Sequence, residues 1–206
     1  MNTPNKITFA RIILAAMMIV FLIVASFIPE FHPWVGREEY GVSLVYVIVC
    51  VIFVLASVTD LVDGQIARKT NQITDLGKFL DPVADKLLID SSLIFLAIPL
   101  SFAPGNALIP WFVVVLMILR DLVVDALRFV AASKGRVLAA NVFGKIKTIS
   151  QMIAIPFVLV NGWPFVYFDA SWGYGRICLI FIYIACFFSL LSGIIYVYKN
   201  RDVLKG

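Results

Sequence analysis

An all-α integral membrane bundle of six spanning helices, with both termini on the cytoplasmic side, is the fold class that this 206-residue sequence predicts. Three observations carry it. Hydrophobic residues make up 62% of the chain and charged residues only 15%. Uncharged runs recur at 12–28, 40–59, 148–168 and 177–198, each close to the ~20 residues that cross a hydrocarbon core about 30 Å thick. Positive charge is also unevenly placed. Of the 17 lysines and arginines, Arg37 and Arg176 fall on one side of the predicted membrane and Arg120 and Arg128 within the fourth helix. All the others fall on the side of the two termini, which is therefore the cytoplasmic one. The net charge of +4 then reflects topology and attraction to anionic headgroups, and it gives no reason to expect nucleic acid.

A short interfacial segment, 1–7, precedes a first helix over about 8–28. Lys6 and Arg11 ahead of an apolar run would also suit a secretory signal. No small-residue cleavage site follows, and "FIPEFHPW" reads as an interfacial loop, so this helix is expected to be retained. The second helix, 40–68, runs inward past the membrane surface. A loop through "KTNQITD" reverses the chain into a third helix, 76–101. "PLSFAPGN" has the prolines and glycine of a turn and leads to a fourth helix, 107–133. The fifth, 144–161, runs outward and the sixth, 176–200, returns. No linker or repeat divides the chain, so 1–206 is one domain. Cys50, Cys178 and Cys186 lie inside apolar runs with neither zinc spacing nor a disulfide framework, as small core residues do.

The uncharged stretch between Asp90 and Arg120 is too short for two spans of about 20 residues and a turn. The third and fourth helices must therefore carry ionisable groups below the membrane surface: Asp81, Asp85, Lys86 and Asp90 on one, Arg120, Asp121, Asp125 and Arg128 on the other. Such groups face a polar cavity or pair with one another, and they mark function. A cavity open to the cytoplasm, walled by the second, third and fourth helices, is expected.

Asp60 and Asp63, three apart, share a helix face, as do Asp81 and Asp85, four apart. Antiparallel neighbours bring both pairs to the same level, where four carboxylates repel unless cations sit among them. All-oxygen ligands favour Mg²⁺, Mn²⁺ or Ca²⁺ over zinc or copper, and four acids suffice for two ions, an arrangement suited to phosphoryl displacement. Gly64 and Gly77 flank the acids. A helical glycine costs about 1 kcal/mol against alanine, which suggests that a bulky ligand approaches the backbone. Arg68, one turn beyond Gly64, is placed to meet a phosphate. A solvated loop with ordinary helix-end charges would account for one acid pair, but not for both pairs together with both glycines.

The pattern Asp60-x2-Asp63-Gly64-x2-Ala67-Arg68-x8-Gly77-x3-Asp81-x3-Asp85 resembles the signature of the CDP-alcohol phosphotransferase family without a departure. The resemblance implies a six-helix bundle, usually homodimeric, with two Mg²⁺ or Mn²⁺ ions at the cytoplasmic boundary. It also implies an activity that displaces CMP from a CDP-linked lipid or alcohol by a hydroxyl nucleophile. Carried over by position, Asp60, Asp63, Asp81 and Asp85 would be metal ligands, Asp85 would also be the general base, and Gly64, Arg68 and Gly77 would line the cytidine-diphosphate pocket. Asn5, Thr8 and Arg11 match the family's pattern at the start of the chain and by resemblance border the nucleotide, with interfacial anchoring the simpler account of Arg11. The only histidine, His32, is expected on the opposite side of the membrane, which leaves a carboxylate to accept the nucleophile's proton.

The acceptor is the less determined substrate. Arg120 and Arg128, eight apart, lie on nearly the same helix face, and "GKIKT" puts Lys145 and Lys147 at the cytoplasmic start of the fifth helix. These four would suit a phosphorylated alcohol. Topology alone would also explain the lysines, and a pairing with Asp85, Asp90 or Asp125 would also explain Arg120. The stretches "NTPNKIT", "GKFLDPVADKLL", "GKIKT" and "YKNRDV" resemble bacterial family members that use CDP-diacylglycerol and sn-glycerol 3-phosphate. Those members often carry arginine-glutamate where this chain has Arg120-Asp121, so the role of Asp121 is open. Phosphatidylglycerol and inositol or inositol phosphate are the rival acceptors. A divalent-cation transporter is the rival of another class, disfavoured because the acids cluster at one surface and the motif has no second copy.

Overall fold

The structure is a computed structural model that describes residues 3–28, 34–35, 42–70, 75–100, 107–136, 138, 142–163 and 177–203. Of these, the side chains of 3–4, 34–35, 61–70, 75–76 and 78 are outside the description. His32, Arg37, Pro104 and Arg176 lie outside the described residues, as does most of the reversing loop. Among the described residues there are six α-helices: α1 Thr3–Phe27, α2 Leu44–Thr70, α3 Asp75–Ala97, α4 Trp111–Ser133, α5 Val142–Leu159 and α6 Cys178–Lys199, followed by a 3₁₀ turn, Arg201–Val203. Between α1 and α2, β1 (Trp34–Val35) and β2 (Val42–Ser43) pair antiparallel, with Trp34 opposite Ser43 and Val35 opposite Val42.

Several boundaries differ from those predicted, each for a local reason. Helix α1 begins at Thr3, inside the segment 1–7 that precedes the first predicted helix, and Pro4 is tolerated because the first helical turn has no partner for its missing N–H. Leu44 rather than residue 40 opens α2, because Val42 and Ser43 pair in the ladder. Helix α3 ends four residues early, ahead of Pro99, which disfavours helical geometry at the residue before it. The Leu96 carbonyl left over at that end accepts the N–H groups of Leu108 and Ile109 at 2.9 and 3.1 Å, so the returning chain caps the helix it has just left. Pro110 then sits as the N-cap of α4. Helix α5 stops at Leu159, where Asn161 and Gly162 both take positive φ, 54° and 76°, and the Gly162 N–H donates back to the Phe157 carbonyl at 2.8 Å.

Three helices, over Asn5–Phe27, Val142–Leu159 and Cys178–Lys199, are long and apolar enough to cross a membrane, and α2 has a shorter apolar stretch, Leu44–Asp60. Among the described residues, α3 and α4 do not meet that standard because acids and bases interrupt them. The outer faces agree with a lipid surround, since Met17, Val20, Phe27, Leu122, Phe129, Phe187 and Ile194 are all exposed. Large apolar side chains in that number would be costly against water.

Each helix buries one stripe at three- and four-residue spacing. On α1 it is Asn5, Thr8, Arg11, Ala15, Met18, Leu22 and Ala25; on α6 it is Cys178, Ile182, Ala185, Ser189, Ser192 and Tyr196. Helix α1 packs against α2 and α3, while α6 packs against α5 and α4. The two halves meet through α2 with α5 and α3 with α4 and α5. A large apolar core joins all six helices, and a smaller one, Val124, Leu127, Ala131, Tyr196 and Val203, closes one end of the α4–α6 pair.

The two helix stops with left-handed glycines give a matched test. Gly135 (φ 70°) has open space where a Cβ would go, whereas at Gly162 a Cβ would lie 3.3 Å from that of Cys178. Alanine at either position meets the left-handed penalty of about 1–2 kcal/mol. Gly162→Ala should therefore cost more than Gly135→Ala in thermal unfolding of the detergent-solubilised protein. Equal losses would show that the close packing against Cys178 carries no weight.

Candidate active site

The acids stand where the buried stripes of α2 and α3 would otherwise continue with apolar residues. Asp60 follows Val49, Phe53 and Ala56 on α2, and Asp85 precedes Leu88, Ile89, Ser92 and Leu96 on α3. Helical spacing thus turns both carboxylates toward α1. There, Arg11 is completely buried. Its Nη1 lies 2.5 Å from Asp60 Oδ1 and 3.1 Å from Asp85 Oδ1, so one guanidinium nitrogen ties three helices together. One turn earlier, Thr8 Oγ1 donates to Asp81 Oδ1 at 2.9 Å. Arg11 is not an interfacial anchor: its charge is spent inside the bundle.

The structure thus brings Asp60, Asp81 and Asp85 around the first turns of α1. Asp63 lies on α2 one turn past Asp60, with Gly64 and Arg68 beyond it, and the side chains of these three are outside the described residues. Gly77 lies in the first turn of α3. Converging carboxylates that already draw a buried guanidinium between them fit a divalent cation, by charge and by the preference of such ions for oxygen. As they stand, the described acids turn to Arg11 and Thr8. Among the described residues no three such side chains gather at a common point.

The other half of the bundle inverts the signs. On α4, Arg120 and Asp121 interrupt the stripe between Met117 and Val124. Arg120 Nη1 donates to Asp121 Oδ1 at 2.6 Å and Nη2 to Ser192 Oγ at 2.5 Å. Asp121 Oδ2 also accepts from Lys147 Nζ. Lys147 is only 8% exposed, so positive-inside topology does not account for it, whereas Lys145 is exposed. Arg128, also exposed, stacks over the Tyr196 ring at 5.4 Å and donates from Nε to its hydroxyl at 3.1 Å. The partners considered for Arg120 from sequence were Asp85, Asp90 and Asp125. The partner found is Asp121, and Asp125 pairs with Lys86 instead, across from α4 to α3.

A cavity of about 540 Å³ lies between the two halves. Asp60, Asp85, Asp90 and Lys86 line the side from α2 and α3, and Arg120, Arg128, Lys145 and Lys147, with Asp121 and Asp125 among them, line the side from α4 and α5. Helices α5 and α6 contribute as well as α2, α3 and α4, which is wider than predicted. Sequence reasoning missed Ser192, Gly193 and Tyr196 because they sit inside the apolar run of α6. Their three- and four-residue spacing in a row that starts at Ser189, small or polar throughout, was the available signal.

Residues 1–193 match the family model described as CDP-alcohol phosphatidyltransferase. The chain is 41% identical over 207 residues to the CDP-diacylglycerol–glycerol-3-phosphate 3-phosphatidyltransferase of Bacillus subtilis, covering 99% of this chain and 97% of that one. Relatives of the same name from Mycoplasma genitalium and Rickettsia felis are 33% and 34% identical, covering 98% and 95% of this chain and 85% and 93% of their own.

The Arg11 bridge yields a stability prediction. Arg11→Met leaves two partly buried carboxylates facing each other, and removing one partner of such a group costs about 2–3 kcal/mol after allowance for their partial exposure. Thermal unfolding should show that loss. Adding Asp60→Asn to Arg11→Met should recover part of it, without restoring any activity. No recovery in the double variant would show that like-charge repulsion is not what Arg11 relieves.

Proposed function

This chain belongs to the CDP-alcohol phosphatidyltransferase family, and from that footing we propose that it transfers the phosphatidyl group of CDP-diacylglycerol to sn-glycerol 3-phosphate, giving phosphatidylglycerophosphate and CMP. The observation that carries this reading is one cavity that holds Asp60 and Asp85 of the acidic motif together with Arg120, Arg128, Lys145 and Lys147. A cytidine diphosphate has to be gripped where charge-neutralised carboxylates and cations meet, and a phosphorylated alcohol has to be held by bases within reach of it. We place the protein in the bacterial cell membrane as a homodimer of six-span chains, both termini and the cavity on the cytoplasmic side. In this topology α3 and α4 complete the spans despite their charges, because those charges face the cavity and each other.

Members of the family depend on divalent cations. Asp60, Asp63, Asp81 and Asp85 would hold two of them here, Mg²⁺ or Mn²⁺, which when bound supply positive charge to the diphosphate and its leaving group. The chain's own residues do the rest. Gly64, Arg68 and Gly77, with Asn5, Thr8 and Arg11 from α1, border the cytidine-diphosphate end. Arg120, Arg128, Lys145 and Lys147 hold the acceptor's phosphate and so present its hydroxyl to the phosphatidyl phosphorus. The hydroxyl oxygen bonds to that phosphorus as the bond to the CMP oxygen breaks, and Asp85 takes the hydroxyl proton. Asp121, held between Arg120 and Lys147, keeps two like charges together on the cavity wall.

Purified protein offered labelled CDP-diacylglycerol should release CMP with sn-glycerol 3-phosphate. Turnover with phosphatidylglycerol or an inositol compound in its place would transfer the reading to that acceptor. Asp60→Asn or Asp81→Asn should abolish turnover while leaving an inserted, folded protein, as should EDTA, with Mg²⁺ or Mn²⁺ restoring the untreated rate. Undiminished rates in metal-free buffer would sink the metal assignment. Arg120→Ala should raise the KM for sn-glycerol 3-phosphate, by about 30- to 1000-fold if a charge-assisted, partly desolvated phosphate contact is lost. Arg120→Lys should recover only part, because an ammonium lacks the planar fork.

A further inference from the structure

Arg120 reaches the cavity through a slot in α6. Its side chain crosses beside Gly193, where a Cβ would stand 2.6 Å from Arg120 Cγ and 3.1 Å from Nε. Cγ is near the root of the side chain. It cannot swing clear without leaving its rotamer or parting the two helices. The neighbouring Ser192 is fully buried. Its hydroxyl donates to the Ser189 carbonyl at 2.9 Å and its oxygen accepts from Arg120 Nη2 at 2.5 Å. Asp121 takes Nη1 from the α4 side. The guanidinium is thus gripped at both terminal nitrogens, each of which keeps a second N–H for a ligand.

That grip matters because Arg120 lines two cavities. One is the charged cavity between the halves. The other, of about 520 Å³, is an apolar groove on the α4–α6 seam, bordered by Val123, Leu190, Ile194, Val197, Tyr198 and Arg201. A long flexible cation beside two openings needs something to decide where its charge stays. We propose that Ser192 and Gly193 are positioning residues that hold the Arg120 guanidinium on the charged side of this seam and thereby set the affinity for a phosphorylated acceptor. The inference rests on the reading of Arg120 as the acceptor's phosphate contact. It adds a specificity element on a helix that carries none of the acidic motif.

The test is steady-state kinetics of the full-length, Mg²⁺-supplemented enzyme in mixed micelles, varying sn-glycerol 3-phosphate and CDP-diacylglycerol separately. Gly193→Ala and Ser192→Ala are each compared alone and combined with Arg120→Ala. Gly193→Ala should raise the acceptor KM about tenfold or more, and Ser192→Ala about three- to tenfold, with kcat and the KM for CDP-diacylglycerol within about twofold. Neither should add anything once Arg120 is alanine. A merely structural role would lower kcat or shift both KM values alike, and would persist in the Arg120→Ala background; either result overturns the proposal. Should Gly193→Ala fail to accumulate in the membrane, Ser192→Ala adds no bulk and decides by the same comparison. Arg120→Ala with an unchanged acceptor KM would overturn the acceptor reading and this inference together. A raised KM in Arg120→Ala, with both α6 variants unchanged from wild type, would overturn this inference alone.

Discussion

Carboxylates on different helices cannot be brought face to face beside a lipid core unless positive charge is brought with them, because their repulsion grows as the surrounding dielectric falls. Arg11 meets that condition from inside the protein. It is buried among α1, α2 and α3 with one nitrogen against both Asp60 and Asp85, and much of the first half of the bundle follows from it. Helix α1 must start early enough to deliver Thr8 and Arg11 to the acids, which is why it opens at Thr3 and not at the first apolar residue. The side of α1 that faces its neighbours is polar over its first turns and apolar from Ala15 onward. That single helix face therefore neutralises the acids at one end and packs the core at the other.

The second half solves the mirror problem. Arg120 and Lys147 lie close together in a partly desolvated place, and Asp121 accepts from both. Each half thus carries a cluster of one sign with one group of the other sign inside it. Where the halves meet, the wall from α2 and α3 is acidic on balance, with Lys86 among Asp60, Asp85 and Asp90, and the wall from α4 and α5 is basic on balance, with Asp121 and Asp125 among Arg120, Arg128, Lys145 and Lys147. An anionic substrate is drawn to the basic wall, and cations are drawn to the acidic one. The Lys86–Asp125 pair joins the two walls from α3 to α4.

These charges form a layer. Along α4 the order is Met117 in the large core, Arg120 and Asp121 at the cavity, then Val124 and Leu127 in the small core. Along α6 it is Cys186, then Ser189 and Ser192, then Tyr196. Apolar packing on both sides of the polar layer restricts how far its side chains can move. The turn at Pro99 and Pro110 brings α3 and α4 back side by side, so that Asp90 and Lys86 on one stand opposite Asp121 and Asp125 on the other.

By itself the sequence determined the helical bundle, the polar cavity and the identity of its acids. The length of apolar runs, the spacing of charges and the bilayer's demand for internal hydrogen bonding are all local or one-dimensional constraints. Asp60 and Asp85 could be placed on facing helices from spacing alone, and so could Arg120, Arg128, Lys145 and Lys147, four of the cations that the cavity gathers. Only the tertiary structure decided which charges neutralise which. Arg11 is 49 residues from Asp60 along the chain, a separation that follows from the numbering, and no periodicity links them. Asp121 pairs with its neighbour Arg120 and with Lys147 because the long side chain of Lys147 reaches from α5 to α4 there. Ser192 and Gly193 looked like ordinary members of an apolar span. Their importance depends on the side chain of another helix passing through the space that a glycine leaves, and that space exists only once the helices have packed.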